Sequence, residues 1–164
     1  MGYNTDFCGC FNFDKPVEPW LEEYINKFCN TRRMKRSPEK IKEFFPNWDK
    51  QCFNGELGPD GAYFIGGKGF FGQDNDESVV NQNTPPNGQP ELWCQWIIEG
   101  DKLVWDGNEK FYSYIEWLEY LIAHFFAPLG YILNGTVDWR GEEWGDCGYI
   151  CVKDNNVNVV YGGY

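Results

Sequence analysis

One apolar stripe limits what this chain can fold into more than any other feature. Across residues 111–127, Phe111, Tyr114, Ile115, Leu118, Leu121, Ile122, Phe125 and Phe126 recur at helical spacing, and Pro128 with Gly130 closes the run. The spacing predicts a long central helix with a broad buried face. The C-terminal third of the chain has the opposite character. Residues 131–133, 136–139, 149–152 and 157–160 are short β-branched and aromatic runs separated by Gly-, Asp- and Asn-rich turns, which read as a meander of strands. A helix with one apolar face, succeeded by hairpin-linked strands, predicts an α+β fold, a mainly antiparallel sheet packed against that helix.

The earlier half adds one or two shorter helices and more strands. Residues 6–13 alternate with period two, Phe7, Phe11 and Phe13 on one face and Cys8, Cys10 and Asn12 on the other, and predict an opening strand. Pro16 and Pro19 introduce a helix whose core face would carry Trp20, Leu21, Tyr24, Ile25, Phe28 and Cys29. Ser37-Pro38-Glu39 reads as an N-cap, a first-turn proline and a first-turn acid, opening a short helix that Pro46 stops. Residues 54–88 are mostly loop, broken by short strands at 63–65 and 78–80. Residues 92–98 and 102–105 flank Gly100-Asp101 as a hairpin that sets Trp93 opposite Trp105. With no repeat and no composition break, residues 1–164 read as a single globular domain.

Charge narrows the function classes. The formal net charge of −11 repels phosphate and anionic lipid, so direct nucleic acid binding and membrane association are disfavoured, while a basic protein partner is favoured. The basic run Arg32, Arg33, Lys35, Arg36 reads as a solvated helix end. The start carries no signal peptide, Asp6 stands where a myristoylation motif needs Ser or Thr, and no apolar run could span a bilayer, which together predict a cytoplasmic protein. An odd count of 7 cysteines then predicts reduced thiols.

No arrangement of residues amounts to a catalytic motif. The sole histidine, His124, reads as a histidine at the edge of the core, and without a second one no Ser-His-Asp or Cys-His pairing can be assembled. Cys8, Cys10, Cys147 and Cys151 lack the Cys-x2-Cys spacing of a zinc knuckle, so no metal and no cofactor is implied. Binding chemistry is better represented. The long loop of residues 66–88 offers Lys68 among glycines, a composition suited to an anion but without the P-loop signature. It also offers Gln73, Asp74, Asn75 and Asp76, hard oxygen and amide groups without calcium-loop spacing. The turn after Trp139 gathers Glu142, Glu143, Trp144 and Asp146, with Trp144 the ring most exposed to solvent. Aromatic side chains are 19% of the chain, and rings such as Trp93 and Trp139 could stack on a ligand or partner.

Residues 1–7 (MGYNTDF), 72–76 (GQDND), 92–96 (LWCQW), 105–111 (WDGNEKF) and 133–135 (LNG), with Trp139 and Gly141-Glu142, resemble a family of short proteins from tailed bacteriophages and bacteria that has no assigned activity. The resemblance covers nearly the whole chain, which departs from the family pattern in its extra cysteines. It implies a setting of small accessory proteins that divert a host factor. The leading expectation is therefore a non-enzymatic binding module that presents residues 66–88 and 141–145 to a protein partner. The alternative is a pocket for a nucleotide-like or sugar-like small molecule, with Lys68 at the anion end and Trp93 or Trp139 stacking.

Overall fold

The computed structural model describes residues 2–66 and 76–162. In chain order the elements are β1 (Thr5–Phe13), α1 (Pro19–Cys29), β2 (Lys35–Arg36), α2 (Pro38–Phe44), β3 (Val79–Asn81), β4 (Trp96–Glu99), β5 (Lys102–Trp105), α3 (Tyr114–Leu121), β6 (Leu133–Gly141), β7 (Cys147–Lys153) and β8 (Asn156–Tyr161). They fall into two compact units, Met1–Glu22 with Gln95–Tyr164, and Glu23–Cys94. The chain passes from one to the other inside α1 and again just before β4. Neither crossing is a linker, so no composition shift marks it.

The first unit is built on a six-stranded antiparallel sheet of order β4-β5-β1-β6-β7-β8. Its two faces sort by polarity, as expected of a sheet covered on one side. Phe11, Phe13, Trp96, Ile98, Leu103, Leu133, Val137, Trp139, Ile150 and Val152 are buried, while Cys8, Asn12, Thr136, Asp138 and Arg140 are exposed. The buried face is bound by rings. Phe7 lies 5.5 Å from Trp96, 5.3 Å from Trp105 and 4.9 Å from Tyr114, in edge or tilted geometry that suits the ring quadrupoles. Tyr114 continues the row to Trp139, and Trp139 to Tyr161 on β8. At Gly135, φ is +143° and an added Cβ would sit 2.7 Å from the Cys10 carbonyl oxygen on β1, so the close approach of β1 and β6 needs glycine there.

The long central helix is corrected by the structure. Phe111 is buried but lies before the helix. Tyr114–Leu121 is eight residues of α-helix, and Ile122–Phe126 is a five-residue π turn in which the Ala127 N–H donates to the Ile122 carbonyl at 2.8 Å. A stripe of apolar residues four apart suits either geometry, so periodicity alone cannot tell them apart. The adjacent pairs Leu121–Ile122 and Phe125–Phe126 are all buried. The meander prediction holds, except that residues 133–141 form one continuous strand. In the hairpin of β4 and β5 the residue opposite Trp105 is Trp96. Trp93 precedes the strand, half-buried in the second unit.

In the second unit Ser37 caps α2 by accepting from the Lys40 N–H, as its sequence predicts. Ile41, Cys52, Leu57 and Phe64 form a small core. Residues 63–65 are not a strand. Phe64 belongs to that core, and the Tyr63 N–H bonds back to the Leu57 carbonyl across a 3₁₀ turn at Pro59–Gly61. Trp20, expected on the core face of α1, is 41% exposed and donates its indole N–H to Glu18. The basic run is also corrected, because Arg33 and Arg36 are buried. The Arg33 guanidinium stacks 4.0 Å over the Phe28 ring and donates to the Ala62 carbonyl at 2.6 Å. Arg36 lies over Phe64 and pairs with Asp76 at 2.8 Å. Aromatic faces and backbone carbonyls take the place of water around these cations.

Candidate functional site

The β6–β7 connection, the acidic turn singled out in the sequence, is the best-defined site in the first unit. Strand β6 ends at Gly141 and β7 begins at Cys147, and between them the Gly141 N–H donates to the Asp146 carbonyl at 2.7 Å. The N-terminal segment closes on this turn. Thr5 pairs with Gly141, which places Tyr3 and Asn4 beside the acidic residues.

Four side-chain hydrogen bonds fasten the turn. Asp146 accepts from the Trp139 indole N–H at 3.0 Å through one oxygen and from the Tyr3 hydroxyl at 2.5 Å through the other. The same hydroxyl accepts from the Glu143 N–H at 2.9 Å. Glu142 accepts from the Asn4 N–H at 2.7 Å, and Tyr3 donates its own N–H to the Tyr112 hydroxyl at 3.0 Å. Gly141 is required by this arrangement, since a Cβ there would overlap the Asp146 carboxylate and the Tyr3 hydroxyl.

The clasp uses Tyr3 in its protonated form, since its hydroxyl donates to Asp146. The hydrogen bond to Asp146 holds the Tyr3 phenol above its ordinary value of 10.0. Burial, with the Asp146 charge adding to it, raises the Tyr114 phenol as well. Both are therefore protonated in the neutral range. Tyr3's contribution is complete below pH 10.0 and is lost only as pH rises through its raised value.

Trp144 stands at the tip of this fastened turn, and its side chain is fully exposed, at 102%. Residues 140–147 line an open cleft of about 320 Å³. Glu142, Glu143 and Arg140 are exposed at its rim. Among the contacts described, each carboxylate oxygen with a partner accepts from the protein's own N–H or O–H groups. The arrangement can stack, desolvate an apolar group and offer charge.

The other sequence-predicted residues are distributed differently. Trp139 is 3% exposed, so it supports the turn and does not offer a stacking face. Trp93 lies in the second unit, and neither Trp93 nor Trp139 lines the cleft. Lys68, Gln73, Asp74 and Asn75 fall outside the described residues. Asp76 is occupied within the second unit, where it accepts from the Ser78 N–H and hydroxyl and from Arg36. Burial alone would raise its pKa, but the bonds from Ser78 and Arg36 and the Arg36 charge outweigh burial and hold it below 3.8. His124 stacks on the Tyr120 ring with centroids 4.0 Å apart.

All 7 cysteines are free thiols, and among the described residues no group of three or more His, Cys, Asp or Glu side chains is arranged to hold a metal ion. No described helix is long and apolar enough to cross a membrane. Tyr3, Asn4, Tyr112 and Tyr114 are site residues that sequence reasoning missed. The pairing of β1 with β6, a contact between distant parts of the chain that local patterns do not encode, brings in Tyr3 and Asn4, while Tyr112 and Tyr114 come from the segment that opens α3. No protein-family model, curated protein or solved structure matches the chain.

Proposed function

We propose that this chain is a non-enzymatic binding module whose Trp144 turn engages a protein partner through an acidic, aromatic surface, as a bacteriophage-type accessory protein acting on a host factor would. The observation that carries the reading is a fully exposed tryptophan on a turn fastened by Tyr3, Asn4 and Trp139. An exposed indole gains most when it fills a partner's pocket, and tryptophan is enriched among residues that dominate interface energetics. A turn held by hydrogen bonds loses little conformational freedom on binding. The exposed Glu142 and Glu143 and the net charge of −11 favour a basic partner surface, approached faster at low salt.

Capture of partners from host lysate on the tagged chain tests the proposal, with Trp144→Ala in parallel. The expected result is a stoichiometric protein partner, released by salt, whose affinity for Trp144→Ala falls by roughly tenfold or more. A retained nucleotide or sugar with no protein, or a partner held equally by Trp144→Ala, would overturn it.

A further inference from the structure

Strand β8 is the outer strand of the sheet, and its sequence does little to discourage pairing. Asn156–Tyr161 contains no charge and no proline, and three of its six residues are valine. Natural edges are commonly blunted by charge, proline or shortness. The opposite edge, β4, has four residues and ends on Glu99.

The ladder shows which groups of β8 face outward. Gly162 donates its N–H to the Cys147 carbonyl at 2.8 Å, and the register pairs Val160 with Tyr149, Asn158 with Cys151 and Asn156 with Lys153. In an antiparallel ladder the alternate residues point their N–H and C=O groups away, so Val157, Val159 and Tyr161 turn theirs to the open side. Their side chains share the face of Ile150 and Val152. Val157 and Val159 are half-buried there, and Tyr161 is 75% exposed.

We propose that β8 pairs antiparallel with β8 of a second copy of this chain, about a two-fold axis through Val159. The occupant follows from self-complementarity. With Val159 opposite Val159, Val157 falls opposite Tyr161 of the second copy, and each outward N–H faces a carbonyl. The same register continues the apolar row from one sheet into the next, covering the exposed Tyr161 ring. Two chains of net charge −11 repel, so the dimer strengthens as salt rises. The partner complex of the Trp144 turn has the opposite dependence and uses a different surface.

Sedimentation of the full chain over a wide concentration range, at low and high salt, is the test, combined with residue-resolved amide exchange. A dimer favoured by concentration and salt is expected, with the Val157, Val159 and Tyr161 amides gaining protection on association while those of Asn158 and Val160, already bonded to β7, change little. Val159→Lys, which sets two like charges face to face, is expected to weaken the dimer at least about tenfold with the fold retained by circular dichroism. Exchange on the unaltered chain decides the matter if that variant does not fold. A monomer under all conditions, or a dimer that leaves the three outward amides unprotected, would overturn the proposal.

Discussion

Asp146 accepts from Trp139 through one oxygen and from Tyr3 through the other, so the indole of a buried ring and the N-terminal segment are fixed by the same carboxylate. Replacing it with alanine leaves the Trp139 N–H, on a side chain 3% exposed, without its acceptor. That orphaned donor costs about 1–3 kcal/mol. Chemical denaturation of Asp146→Ala should show a loss of that size, and exchange of the Glu143 amide should accelerate as Tyr3 is released. An unchanged Glu143 amide would mean that the turn holds its shape without the clasp. Trp144 takes no part in these fastening contacts, and its full exposure is what the proposed binding role rests on.

The β2–β3 ribbon shows how a charged residue can be a structural one. Lys35 pairs with Asn81 and Arg36 with Val79, and the Arg36–Asp76 ion pair lies beside this short ladder. Because Asp76 is held below its ordinary 3.8, its contribution is complete above pH 3.8 and is lost as pH falls through the lower folded value. Unfolding measured between neutral and acid pH should show this acid-side loss, and Asp76→Asn should flatten it while lowering stability at neutral pH. An unaltered acid slope in Asp76→Asn would contradict the assignment.

The same scale shows what the sequence made legible. Period-two runs with turn residues located β1, β5, β7 and β8, and the Ser37-Pro38-Glu39 signal located α2, because these elements are set by local chemistry. The split of the apolar stripe into α and π turns and the burial of Arg33 and Arg36 depend on neighbours distant in sequence, whereas the pairing of Trp96 with Trp105 follows from the register that a two-residue turn at Gly100-Asp101 imposes. The acidic turn and its exposed Trp144 were readable. The tyrosines that fasten it were not.

For the whole molecule, a strongly acidic chain buries or half-buries most of its described aromatic rings and leaves one tryptophan fully exposed on a fastened turn. Photo-crosslinking tests that claim most directly. A benzophenone side chain is placed at position 144, with a matched control at Val80, which is 62% exposed, and both chains are irradiated in host lysate. A single protein adduct at position 144 that is absent from the control is the result predicted. No adduct at position 144, or the same adducts at both positions, would contradict a partner surface at the Trp144 turn.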